Sequence, residues 1–174
     1  MELMDRAALY SRAAHQAVGQ QRKYTGEPYW HHPAAVAELV AQVAEGSEEM
    51  IAAAYLHDVV EDTSVTHDDI MFEFGMLVSG YVLELTDYYV DPEMGNRAHR
   101  KALERERLAH ISPQAQTIKY ADLIDNTRSI VLRDPGFAKV YMAEKQALLD
   151  VMQAGDTRLY AQAKALVEDF YRQR

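Results

Sequence analysis

Apolar residues recur along this chain at helical spacing almost from end to end, and that period predicts helices over about 2–20, 32–45, 48–60, 67–74, 76–86, 97–110, 113–132, 137–153 and 157–172. Two segments display the pattern clearly. Ala52, Tyr55, Leu56, Val59 and Val60 form one apolar stripe, and Ile118, Ala121 and Ile124 form another, opposite a face shared by Lys119, Asp122 and Asn126. Capping residues stand at several predicted starts: Ser47 before Glu48-Glu49, Thr66 three residues before Asp69, and Ser112 before Pro113. No stretch alternates convincingly over a strand length, and the run from Tyr81 to Leu85 that comes nearest sits better in a helix. With no internal repeat and no Gly/Ser/Pro-rich linker, the expectation is all-α: one helical bundle over 1–174, in which Tyr141, Leu148, Val151 and Leu159 join the core.

Composition narrows what such a bundle can do. The 174 residues carry 18 Lys+Arg against 27 Asp+Glu, a formal net charge of −9, which repels a phosphate polymer and excludes a nucleic acid held by bulk charge. A cysteine count of 0 removes disulfides, thiolate metal sites and thiol nucleophiles, so any transition metal must be held by His and carboxylate. The start Met1-Glu2-Leu3-Met4-Asp5-Arg6 is charged from its second residue and no apolar run reaches membrane-span length, so no membrane partner and a cytoplasmic location are expected. Nothing in the pattern specifies an oligomeric state. The charge is uneven: Arg97, Arg100, Lys101, Arg105 and Arg107 against Glu104 and Glu106 give a local excess of +3. That segment is either a solvated face laced with i,i+3 and i,i+4 pairs or a wall that attracts a small anion.

The densest chemistry is Leu56-His57-Asp58-Val59-Val60-Glu61-Asp62-Thr63, whose helical spacing gathers His57, Asp58, Glu61 and Asp62 into one patch. Three carboxylates and an imidazole repel one another unless a cation is present, and a divalent metal is the economical solution. A second His-Asp pair, His67-Asp68, follows Thr66 at a helix start, where the acids suit the helix dipole, and is read as structural. Two further segments can complete a site. His31-His32-Pro33 sets His32 at a helix mouth, although both histidines can equally be surface residues. Asp122 shares its helix face with Lys119 and Asn126 and gains weight only in company.

Together these segments resemble the HD-domain metal-dependent phosphohydrolases, and within them the alarmone hydrolases: the hydrolase domain of the RelA/SpoT proteins and its stand-alone small form, also found in animals. The resemblance covers about 22–128 and rests on Arg22-Lys23, Thr25-Gly26-Glu27-Pro28-Tyr29, His32-Pro33, the run from Ala54 to Thr63 with Thr66, Phe74-Gly75, and Ile118-Lys119-Tyr120-Ala121-Asp122 with Asn126 and Arg128. It implies an HD-domain bundle in which His32, His57, Asp58 and Asp122 ligate a divalent cation, usually Mn2+, and Glu61 and Asp62 position or deprotonate the attacking water. It further implies a small-molecule nucleotide, guanosine 3′-diphosphate 5′-di- or triphosphate, cleaved at the 3′ position to pyrophosphate and GDP or GTP. Arg22 would then stack on the base, Lys23 lie near base and phosphates, Asn126 meet the ribose and Lys119 support the pocket or a phosphate. Arg97 and Lys101, in the basic segment, become candidates for the distal phosphates. No synthetase domain fits in the remaining length, so degradation alone is expected. Two positions depart from the family pattern. Asp87 stands where a Lys is common, and Asp125 where an aromatic residue or His is common. A carboxylate facing the nucleotide disfavours phosphate, which leaves an adenine alarmone, NADPH or a nucleoside monophosphate open as substrates, and a silent nucleotide-binding module as the other class.

Overall fold

The capping residues read from the sequence close their helix ends in the computed structural model, which describes residues 1–45 and 47–173. Ser47 Oγ accepts from the Met50 N–H at 3.3 Å and Ser112 Oγ from the Ala115 N–H at 3.2 Å. Thr66 and Asp69 satisfy each other's backbone N–H groups at 2.9 and 3.2 Å, a reciprocal capping box. Each such cap contributes about 1 kcal/mol. The helices so bounded are α1 (Leu3–Ala17), α2 (His31–Ala41), α3 (Glu48–Leu56), α4 (Val59–Asp62), α5 (His67–Leu85), α6 (Arg97–Leu108), α7 (Pro113–Arg133), α8 (Pro135–Val151) and α9 (Thr157–Arg172), with a 3-10 turn at Pro92–Met94. Among the described residues the β pairing is a single bridge, Gln21 to Pro28, which pins the α1–α2 loop. None of these helices is long and apolar enough to cross a membrane.

Helix α7 is the axis of the bundle, touched by α2, α3, α5, α8 and α9. Ile118, Ala121 and Ile124 are buried as predicted, but so is Asp122, because the polar face of α7 turns toward other helices rather than water. That placement demands compensation for a buried carboxylate. In the C-terminal part, Tyr141, Leu148 and Leu159 join the core, whereas Val151 is 40% exposed. Helix α8 ends at Val151, and the extended Met152 is buried in its place.

Two breaks in the helices matter. The sequence predicts one helix over 48–60, yet the chain leaves α3 at Leu56 and re-enters helix at Val59. The Ala54 carbonyl, which in an unbroken helix would take the N–H of residue 58, accepts His57 Nδ1–H at 2.7 Å instead. The second break is the one expected between 74 and 76: within α5, Gly75 has φ 84° and ψ 170°, a region nearly closed to residues with a Cβ. A methyl added there meets nothing within 4 Å. Gly75→Ala should therefore lower the unfolding free energy by about 1–3 kcal/mol through the backbone alone, measured by urea denaturation. The remaining differences are at helix ends: α1 and α2 stop short of 20 and 45, α6 stops at Leu108, and α8 starts at Pro135, capped by Asp134 accepting the Phe137 N–H at 3.0 Å.

Candidate metal centre

Four of the predicted site residues converge from three places in the fold. His32 comes from the first turn of α2, His57 and Asp58 from the turn between α3 and α4, and Asp122 from the middle of α7. The tautomer of each imidazole follows from its partner. His57 Nδ1 faces a carbonyl (Ala54, 2.7 Å) and His32 Nδ1 faces a carboxylate (Asp125 Oδ2, 2.6 Å); both partners only accept, so both Nδ1 atoms carry the proton. Nε2 is then the free nitrogen on each ring. These two Nε2 atoms are buried and, among the described residues, lack a partner with hydrogen-bond geometry. Asp122 Oδ1 lies 3.1 Å from His32 Nε2 and 3.8 Å from His57 Nε2, while Asp58 Oδ2 lies 3.1 Å from His57 Nε2 and 3.6 Å from His32 Nε2. One ligand atom each from His32, His57 and Asp58 falls within 4.8 Å of the others. The two bare imidazole nitrogens and the Asp58 carboxylate, with Asp122 Oδ1 beside both rings, fit a divalent cation with positions left open.

The electrostatics point the same way. Burial would lower both imidazole pKa values, yet Asp58 pushes His57 up to about 9, and the carboxylates of Asp122 and Asp125 raise His32. Burial opposes ionisation of Asp58 and Asp122, yet both sit well below the usual carboxylate range, Asp58 through His57 and Asp122 through Lys119 and His32. The pocket calls for positive charge, supplied by protons or by a metal ion. Since metal ligation needs a neutral imidazole, cation binding at pH 7 should release protons from the metal-free protein, and the release should fade above about pH 9 as His57 deprotonates unaided. Titration calorimetry in buffers of different ionisation enthalpy measures this.

Glu61 and Asp62, adjacent in sequence, part company around α4. Glu61 Oε1 accepts the Asp87 N–H at 2.5 Å, and burial together with the charges of Asp87 and Asp58 pushes its pKa up to about 7. Asp62 Oδ2 accepts from Gln20 Nε2 at 3.0 Å, and Gln20 Oε1 accepts His15 Nδ1–H at 2.8 Å. Burial raises Asp62 as well. Lys119 Nζ pairs with Asp122 Oδ2 at 2.9 Å, and Lys101 Nζ with Asp87 Oδ2 at 3.1 Å. Asp87 therefore gathers cations rather than opposing the site as a bare negative charge: Lys119 and Lys101 hold it below the usual carboxylate range against its burial.

Two clefts flank the cluster, besides a third lined by His32, Arg22, Asp125 and Arg128. Lys101, Arg105, Lys119 and Lys145 line one beside Asp87. Arg22, Lys23, Tyr29 and Asn126 line the other. Arg22 donates to Asn126 Oδ1, Asp125 Oδ2 and Ser129 Oγ at 3.0–3.1 Å, and Asn126 donates to Asp122 Oδ1 at 2.7 Å. Lys23 Nζ lies over the Tyr24 ring, 5.0 Å from its centroid. Arg97 lies outside both clefts, over the Phe137 ring and paired with Glu144 at 2.9 Å. Much of the basic excess on α6 is structural: Arg107 binds the Glu84 and Thr86 carbonyls at 2.8 and 3.0 Å and Arg100 the Gly95 carbonyl at 2.6 Å, while Lys101 and Arg105 face the cleft. Asp125 faces His32 and Arg22 and lines, with them and Arg128, the third cleft, separate from the one lined by Lys23, Tyr29 and Asn126.

Several polar groups around the cluster were not singled out from the sequence. Tyr29 donates to Asp58 Oδ2 at 2.7 Å, and its position three residues before His32 was the available signal. The His15–Gln20–Asp62 chain spans the first loop and had none. Lys145, pushed down to about 8 by burial and by Lys119, comes from α8, which carries no motif.

An all-α bundle that brings two histidines and two aspartates together across three helical segments defines the HD class of metal-site proteins. The chain belongs to the HD domain family, whose family model matches residues 7–148. It is 38% identical over 120 residues to the guanosine-3′,5′-bis(diphosphate) 3′-pyrophosphohydrolase MESH1 of Mus musculus, covering 68% of this chain and 65% of that protein. It is 36% identical over 131 residues to the Homo sapiens protein of the same name, covering 74% and 69%. A solved structure of a metazoan ortholog of SpoT, described as hydrolysing ppGpp, superposes with a TM-score of 0.84 at 28% identity over 100% of this chain and 96% of that one.

Proposed function

We propose that the chain is a divalent-metal-dependent hydrolase of guanosine 3′,5′-bis(diphosphate) and its pentaphosphate, releasing pyrophosphate from the 3′ position to leave GDP or GTP. The observation that carries this reading is the convergence of the bare Nε2 atoms of His32 and His57 with the carboxylates of Asp58 and Asp122, between a lysine-lined cleft and one lined by Arg22 and Asn126. The names of the relatives support the substrate. His32, His57, Asp58 and Asp122 hold the cation, which we assign as Mn2+. Such an ion polarises a phosphate oxygen and lowers the pKa of the attacking water.

The chain's own groups do the rest. Glu61, fixed by the Asp87 N–H and balanced near pH 7, takes the proton of the attacking water. Asp62, anchored through Gln20 to His15, orients that water. Tyr29 steadies Asp58. Lys119, Lys101, Lys145 and Arg105 offset the phosphate charges in their cleft, and Arg22, Lys23 and Asn126 receive the nucleoside.

Two titrations shape the pH profile. Turnover rises as Glu61 ionises, through about pH 7 or lower once a cation favours its carboxylate. KM rises above about pH 8, where Lys145 loses its charge. Lys145→Met should abolish that alkaline rise and increase KM about tenfold, the loss of one charge-assisted contact of about 1.5 kcal/mol. The reading itself is tested by Mn2+-dependent pyrophosphate release across guanine and adenine 3′,5′-bis(diphosphates), NADPH and nucleoside monophosphates: the guanine compounds should turn over fastest, and a preference for any other member would overturn it.

A further inference from the structure

Asp125 belongs to none of the four ligands and departs from the family pattern, yet it touches both halves of the site. Its Oδ2 accepts His32 Nδ1–H at 2.6 Å and an Arg22 guanidinium N–H at 3.1 Å. The corresponding support for His57 is a backbone carbonyl, that of Ala54, at 2.7 Å. His32 is buried, and among the described residues no other polar group bonds its Nδ1, so without Asp125 the ring keeps neither a fixed orientation nor a fixed proton position.

We propose that Asp125 is a positioning residue for the metal centre: its carboxylate holds the proton on His32 Nδ1, aims the bare Nε2 at Asp58 and Asp122, and through the same oxygen ties the centre to Arg22 of the neighbouring cleft. The inference rests on the metal-binding reading above. A carboxylate partner raises the basicity of a ligating imidazole and fixes its orientation, and removing such a partner weakens metal affinity about 10–100-fold. Arg22 pairs with the Asp125 carboxylate at 3.1 Å, which fixes its orientation, and is itself anchored by Asn126 and Ser129.

The test uses the full chain stripped of metal, with Mn2+ affinity measured by isothermal titration calorimetry for the wild type, Asp125→Ala and Asp125→Asn. We expect Asp125→Ala to bind Mn2+ about 10–100-fold more weakly and Asp125→Asn, which retains an oxygen acceptor, to recover most of the loss. Nitrogen NMR of the Zn2+-loaded protein gives a second readout, independent of activity: a hydrogen-bonded His32 Nδ1–H in the wild type whose shift moves in Asp125→Asn. A folded Asp125→Ala with wild-type Mn2+ affinity overturns the proposal, and so does a His32 resonance indifferent to Asp125→Asn if the alanine variant does not fold. A wild-type chain that binds neither ion would instead bring down the metal-centre reading, and the inference with it.

Discussion

Asp58→Ala is expected to lose its bound divalent cation and at least about a thousandfold in turnover, a loss on the order of 4 kcal/mol in transition-state stabilisation. Asp58 is the pivot of the cluster: its Oδ2 lies 3.1 Å from His57 Nε2 and 3.6 Å from His32 Nε2 and is steadied by the Tyr29 hydroxyl at 2.7 Å. Removing it leaves two imidazoles and one carboxylate, and a pocket that no longer offsets the charge of a cation. Metal content by atomic emission and pyrophosphate release should fall together. A variant that keeps full metal content and full rate would remove Asp58 from the site.

Glu61→Gln is expected to separate the two functions, keeping the cation while losing about a hundredfold to ten-thousandfold in kcat. The amide is nearly isosteric, and its oxygen can still accept the Asp87 N–H, so α4 and the cluster should be undisturbed. What it cannot do is take a proton. The variant should also show the cost of the carboxylate to the fold. With its pKa raised to about 7 in the folded protein from an ordinary value of 4.5, Glu61 favours the protonated form, so its contribution to stability falls as pH rises from 4.5 through about 7. At pH 8 and without metal, Glu61→Gln should therefore melt no lower than the wild type, and stability gained with activity lost is the signature of a group placed for chemistry. Turnover equal to wild type would assign the base elsewhere.

The parts of this fold legible in the sequence were those decided locally. Ser47, Thr66 with Asp69, and Ser112 announced helix starts because a cap involves residues two or three apart. Gly75 announced a break because its conformation excludes other residues. The stripe of α7 was equally plain. The break at His57–Asp58 was hidden, since it depends on the His57 ring taking a carbonyl that a regular helix would use itself. The role of Asp125 was hidden by distance: His32 lies 93 residues away along the chain and Arg22 103. Lys145 was hidden because charge on a motif-free helix looks like any solvated face. The basic excess on α6 was visible, but not its division between backbone ties by Arg100 and Arg107 and cleft-facing Lys101 and Arg105.

The central claim is that the His32, His57, Asp58 and Asp122 cluster supports metal-dependent cleavage at the 3′ position of a guanosine alarmone. It is tested most directly by adding Mn2+ to metal-free protein with guanosine 3′,5′-bis(diphosphate) and identifying the products by phosphorus NMR. The account predicts GDP and pyrophosphate in equal amounts, and no products until the metal is added; inorganic phosphate as the product, loss from the 5′ end, or a rate independent of metal would contradict it.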